Sequence, residues 1–136
     1  MKMKGLKYAT LCLAVLGLTA TLAYSADWSF FYQSDTLPLK ERYYIDKRSI
    51  HTTPEGTILV WWKRVSTDIT KAGVPSIWVE ELDEVDCSRR RFKVLQGKSG
   101  GPDYSDNVQT SDWSYFTADD MSSAFFEAVC GKGEKE

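Results

Sequence analysis

Residues 57–66 read TILVWWKRVS, entered from the turn signal Pro54-Glu55-Gly56 and left through a loop from Thr67 to Pro75. At a two-residue period, Leu59, Trp61 and Val65 fall on one side, and Ile58, Val60 and Trp62 on the other. A strand that is apolar on both sides belongs in the middle of a sheet. Upstream, Trp28, Phe30 and Tyr32 alternate with Ser29, Phe31 and Gln33, and Arg42 to Ile45 is rich in aromatic and β-branched side chains. Both read as strands. Downstream, Ile77 to Val85 is more amphipathic, and Arg89 to Leu95 continues the strand pattern. The order of these runs predicts antiparallel hairpins.

Parity breaks at Cys87. Strict alternation from a buried Cys87 sulfur would bury Arg89, Arg91 and Lys93 beside it, and three buried cations without partners are too costly. A bulge or tight turn between Cys87 and Arg91 is therefore expected, returning Phe92 and Val94 to the covered face. Gly97 to Asp112 is rich in Gly, Ser, Asp and Asn and reads as a long loop, with room for a short strand near Tyr104 or Val108. Helix signals follow. Thr117 and Asp120 resemble a capping box, Asp119 and Asp120 suit a helix N-terminus, and Gly131 suits its C-terminal cap. Ser122, Phe125, Phe126, Val129 and Cys130 share one helical stripe.

Residues 1–25 carry Lys2, Lys4 and Lys7, then an apolar run from Tyr8 to Leu22, then Ala23 and Ser25. This is the layout of a secretory signal peptide, cleaved before Ala26. The apolar run is about 15 residues, short of the roughly 20 that span a bilayer. Cys12 lies inside that run after Leu11, not after a small residue at its end, which argues against lipidation. The rest, residues 26–136, reads as a single domain with a charged tail from Gly131 to Glu136.

Cleavage leaves Cys87 and Cys130 as an even pair in a chain bound for an oxidising compartment, which predicts one disulfide between them. Closing a loop of that size is worth roughly 4 kcal/mol in the chain-entropy model. A terminal helix then lays its Phe-rich stripe on the sheet, with its last turn fastened at Cys87.

Several pieces of this chain resemble the bacterial surface-adhesin protein E-like family: Tyr43-Tyr44-Ile45-Asp46 followed by Ser49-Ile50; Val60-Trp61-Trp62-Lys63; Asp86-Cys87-Ser88 entering a basic strand; and the helix ending Val129-Cys130. The resemblance implies an α+β fold, a small antiparallel sheet of about six strands with a C-terminal helix packed on one face and tethered by the disulfide. It also implies an adhesin-type role toward extracellular-matrix proteins such as vitronectin and laminin. The absence of a lipid-anchor cysteine favours a periplasmic or released protein over a tethered one.

The whole chain has 17 Lys and Arg against 19 Asp and Glu, a formal charge of −2. Signal cleavage removes three lysines and no acids, giving −5 and arguing against a nucleic-acid binder. His51, the single histidine, reads as a polar residue at a strand end, with no nucleophile motif beside it. Glu80-Glu81 and Asp83-Glu84 read as a solvated face, since adjacent strand residues point to opposite sides and cannot hold one bond between them. Asp103, Asp106 and Asn107 lack the glycine and distal glutamate of a calcium loop and read as turn chemistry. No catalytic, metal or cofactor residues are assigned. The candidate partner-binding set is Lys63, Arg64, Arg89, Arg90 and Arg91, able to hold an acidic polymer, sulfated glycan or acidic protein segment, together with Trp62. Trp62 enters because Trp61 and Trp62 point to opposite sides, and one helix covers only one sheet face, leaving a tryptophan on an open or dimer-forming surface. The expectation is a non-enzymatic extracytoplasmic binding module for an extracellular-matrix protein. The alternative is an envelope accessory protein that binds another bacterial protein.

Overall fold

The computed structural model describes residues 25–102 and 107–131. Residues 1–24, where the signal peptide is expected, the neighbourhood of Tyr104 and the tail beyond Gly131 lie outside them. The chain forms β1 (Trp28–Thr36), β2 (Leu39–Asp46), a 3-10 turn (Lys47–Ser49), β3 (His51–Thr52), β4 (Ile58–Asp68), β5 (Ile77–Asp86), β6 (Arg91–Gly100), β7 (Ser114–Tyr115) and α1 (Asp120–Cys130). The sheet is antiparallel in the order β1-β2-β4-β5-β6-β7, with the two-residue β3 also pairing β4. The expected α+β architecture is therefore present, with the Cys87–Cys130 disulfide tying the helix end to the turn after β5.

TILVWWKRVS is the middle of this sheet. β2 runs beside β4 from Leu39 opposite Asp68 to Ile45 opposite Trp62, and β3 takes over opposite Leu59 and Ile58. The switch is made by the 3-10 turn. Asp46 accepts from the backbone N–H groups of Arg48 (3.1 Å) and Asp27 (2.8 Å), while Ser49 donates to the Asp46 carbonyl and accepts from Trp61 N–H. Buried donors and acceptors that leave the strand ladder are thus paired locally.

The turn forced by parity at Cys87 is a tight one over Cys87–Arg90, joining Asp86 directly to Arg91. Asp86 shapes it by accepting from Ser88 Oγ, Arg89 N–H and Arg91 Nε, a side-chain mimic of a backbone turn. Arg90 takes the left-handed conformation at φ 51° and lies over the Phe126 ring.

Two expectations need correction. The stretch from Gly97 is not yet loop: β6 pairs β5 as far as Gly100 opposite Trp78. Glycine is needed there because a Cβ at Gly97 would sit 2.6 Å from Val108, and one at Gly100 would sit 2.5 Å from the Trp78 indole. What reads as loop composition is close approach. Val108 itself is not in a strand, and the short strand β7 lies further on. The helix N-cap is Asp119, not Thr117: its carboxylate accepts from Ser122 N–H at 2.9 Å, and Thr117 Oγ1 donates to the same carboxylate. Aspartate ranks above threonine as a cap and adds its charge to the helix dipole.

The core lies between α1 and one sheet face. Ile45, Val60, Val85, Phe125 and Val129 are buried, with Phe31, Ile58, Trp62, Phe92, Phe116 and Met121 packed around them. A bulge between Phe30 and Tyr32 turns Phe31 toward Phe125, where the rings stand 5.8 Å apart.

Candidate functional site

β4 has 11 residues and α1 also has 11. At about 3.3 Å per strand residue and 1.5 Å per helical residue, the strand is roughly 36 Å long and the helix about 16 Å. The helix therefore leaves two surfaces uncovered: the whole opposite face of the sheet, and the far part of its own face.

The opposite face alternates indoles with paired charges. Lys63 on β4, Glu80 on β5 and Lys98 on β6 form a cross-strand row, with Glu80 3.6 Å from Lys63 and 3.4 Å from Lys98. Lys63 Nζ stands 4.2 Å over the Trp28 ring and Lys98 Nζ 5.9 Å from that of Trp78. Trp28, Trp61, Glu80 and Lys98 also line a concavity of about 390 Å³. A second row repeats the pattern nearer the β5–β6 turn. Lys93 pairs with Glu84 at 3.1 Å, Arg91 pairs with Asp86, and both cations lie over Trp113 at 4.7 and 4.3 Å. Lys98, at 61% side-chain exposure, is the most open of these cations, and Phe30 is half exposed beside Tyr44. Cations held over aromatic faces are pre-positioned for an anionic, ring- or methyl-bearing partner.

The sealed part of the helix-side face holds Asp83. It is 1% exposed, accepts 2.9 Å from Trp62 Nε1, and its other oxygen has no partner among the described residues. That carboxyl borders a cavity of about 50 Å³ lined by Trp62, Phe92, Phe116, Met121, Ser122 and Phe125. Burial, reinforced by the nearby Glu81 charge and only partly opposed by the indole hydrogen bond, pushes Asp83 up to about 8. It is a neutral acid at pH 7.

The uncovered part of that face has a charged floor. Arg64 lies 3.7 Å from Glu41, which also accepts from Tyr43 Oη (3.0 Å) and Ser66 Oγ (3.1 Å). Glu81 lines the same space, raised from its ordinary value by burial and held back by Arg64. Tyr43 marks the border. Its ring stacks on Trp62 in the core and its hydroxyl points to Glu41, so burial and then that carboxylate raise the phenol.

The sequence-selected residues do not form one patch. Lys63 lies in the first row of the opposite face, Arg91 in the second, and Arg89 and Arg90 in the β5–β6 turn, with Arg89 3.6 Å from Asp86. Arg64 is on the helix side. Lys63 faces Glu80 and Arg91 faces Asp86, six residues apart along β5, or roughly 20 Å. Trp62 is corrected from surface to core: it packs on Phe125 and Tyr43, and Trp61 is the neighbour that faces outward. The reason is parity with Val60, the central buried residue of β4. Glu80 and Glu84 do stand on the open side, but Glu81 and Asp83 do not belong to a solvated face. The missed signal was the parity of Cys87, which upstream passes through Val85, Asp83 and Glu81.

His51 is exposed in β3, opposite Leu59. Asp103 and Asp106 lie outside the described residues, and Asn107 lines the helix-side groove. Among the described residues no group of three or more His, Cys, Asp and Glu side chains gathers as a metal site, and no helix is long and apolar enough to cross a membrane. No protein-family model, curated protein or solved structure matches this chain.

Proposed function

We propose that the mature chain is a non-enzymatic binding module acting outside the cytoplasm, secreted or periplasmic, that holds a protein partner on the open sheet face. The observation that carries the reading is the pair of cation-over-indole rows on the side of the sheet that α1 does not cover. Such rows favour a partner presenting carboxylate or sulfate groups among apolar ones, received first at Lys98, the most exposed of their cations. The disulfide supports an oxidising compartment. The resemblance to surface-adhesin protein E-like sequences supports a matrix protein as partner.

The test is surface binding of oxidised residues 26–136 to vitronectin, laminin and heparin, with an extract of the cell's own envelope in parallel. The reading expects saturable matrix binding that weakens with salt and in a Lys93→Ala/Lys98→Ala variant. Matrix binding indifferent to both changes would remove the open face from the account. Silence on all three ligands with specific retention of an envelope protein would replace the adhesin reading by the accessory one.

A further inference from the structure

Five of the exposed large apolar side chains gather at one end of the sheet: Leu37, Leu39, Ile69, Val74 and Ile77. The topology brings them together, since Leu39 faces Asp68 across β2 and β4, Ile77 faces Ser66 across β5 and β4, and Ile69 N–H donates to the Pro38 carbonyl. Of these, Leu39, Val74 and Ile77 rim the helix-free part of the face that carries α1. Leu39, Val74, Ile77 and Val79 wall a groove of about 740 Å³, and Arg64 and Val79 connect it to a neighbouring space of about 550 Å³ under Val108. Glu41 and Arg64 lie in the larger space and Arg64 and Glu81 in the smaller, so the two adjoin as one groove at Arg64 and Val79.

One cation serves two carboxylates there. Arg64 is within 3.7 Å of Glu41, and Glu41 already accepts from a tyrosine and a serine. Among the described residues Glu81 has no such donor; burial raises it and Arg64 opposes the shift. The remaining ion pair in the groove, Asp68 with Lys71 at 3.5 Å, is neutral as a unit. Floor and rim together thus offer a partly buried carboxylate, with Arg64 as its neighbouring cation, in a largely polar space that adjoins an aliphatic-walled one. An incoming cation gains a charge-assisted hydrogen bond at Glu81, and its apolar neighbours lie on the aliphatic wall of the adjoining space.

We propose that this groove is a second binding site, separate from the open sheet face, for an extended segment of a protein partner that presents an arginine or lysine between aliphatic residues. The cation is received at Glu81, with Glu41 and Arg64 keeping it in register, and the flanking aliphatic side chains lie on Leu39, Val74 and Ile77.

The test is an amide-resolved NMR titration of oxidised residues 26–136 with the blocked tripeptides acetyl-Leu-Arg-Leu-amide, acetyl-Leu-Gln-Leu-amide and acetyl-Leu-Glu-Leu-amide. The arginine peptide should shift resonances of Val74, Ile77, Val79 and Glu81, and should bind at least about fivefold more tightly than the glutamine peptide. Glu81→Gln should remove that preference while leaving the spectrum otherwise folded; if that variant fails to fold, Glu41→Gln takes its place. Equal binding of the three peptides, or shifts centred on Trp61 and Lys98 of the open face, would overturn the proposal. So would a concentration-dependent dimer, seen by sedimentation without peptide, that shifts the same groove resonances: the occupant would then be a second copy of this chain. Loss of matrix or heparin binding in Lys93→Ala/Lys98→Ala without change in this titration separates the two sites.

Discussion

Glu81 and Asp83 stand two residues apart on the same side of β5, yet they live in different surroundings. Met121, Ser122 and Phe125 of α1 close over Asp83, whereas the groove at Glu81 is lined by Arg64, Val79, Ser99 and the segment at Val108. Both carboxyls are raised by loss of water, but Glu81 has a guanidinium to oppose the shift and Asp83 has only an indole N–H, with a second acid nearby. A short helix on a long sheet therefore divides one face into a sealed part, where an acid is kept neutral, and an open part, where a guanidinium opposes the effect of burial on the neighbouring carboxyl. Local sequence around the two acids, Glu-Glu-Leu-Asp-Glu, hardly distinguishes them. The contrast comes from what the helix reaches.

Unfastening the helix should break the contrast most severely. Cys87→Ser/Cys130→Ser is expected to cost roughly 4 kcal/mol in denaturant unfolding, the loop-closure value for a separation of 43 residues. A loss under about 1 kcal/mol would mean that packing of Phe125 and Val129 holds α1 without the tether.

An effect of comparable size, summed over its whole window, is a pH dependence. Asp83 rises from 3.8 to about 8 on folding, so the folded chain keeps a proton that the unfolded chain sheds above about pH 4. Stability must then fall as pH rises, by about 1.4 kcal/mol per pH unit between roughly pH 4 and 8, and level off above that window. Asp83→Asn removes the titration and should flatten the slope. At pH 8 it should stabilise the chain by roughly 2 kcal/mol, since the unmet hydrogen bonds of the buried amide offset part of the gain. Chemical denaturation across pH 5–9 reads both quantities.

Gly97→Ala probes the wall of the open part. Its Cβ would meet Val108 at 2.6 Å and the Glu80 carbonyl at 2.7 Å, and the backbone oxygen cannot swing aside. A loss of about 1–3 kcal/mol is expected, with amide shifts at Val108 and little change around Phe125. Smallest is Arg64→Ala, which should change stability by less than about 1 kcal/mol, as its ion pair with Glu41 is partly exposed. It should nonetheless move the Glu81 titration further upward, because the cation that lowers it is gone.

Much of this architecture was legible in the residues. The two-sided apolar run at Ile58 to Val65 marked the central strand, the arginines after Cys87 forced a turn, and the stripe of Ser122, Phe125 and Val129 gave the buried side of the helix. Gly97 and Gly100 misled because composition cannot separate a glycine that loosens a chain from one that admits Val108 or Trp78. The site was less legible. Lys63 and Arg64 are neighbours in sequence but opposite in space, so a basic run across a strand is divided between two surfaces. The cation–indole rows depend on register between strands up to 35 positions apart, as with Lys63 and Lys98, and no local pattern carries that. Asp83 needed its parity traced backward from Cys87 through a run of acids that otherwise suggests water.

The division of the helix-side face is tested most directly by following the side-chain carboxyl carbons of Asp83 and Glu81 in one NMR titration of oxidised residues 26–136. The account predicts that Asp83 titrates near pH 8 and that Glu81 titrates above an ordinary glutamate. If both titrate together at ordinary carboxylate values near 4, water reaches Asp83 as freely as Glu81, and the helix does not seal the face.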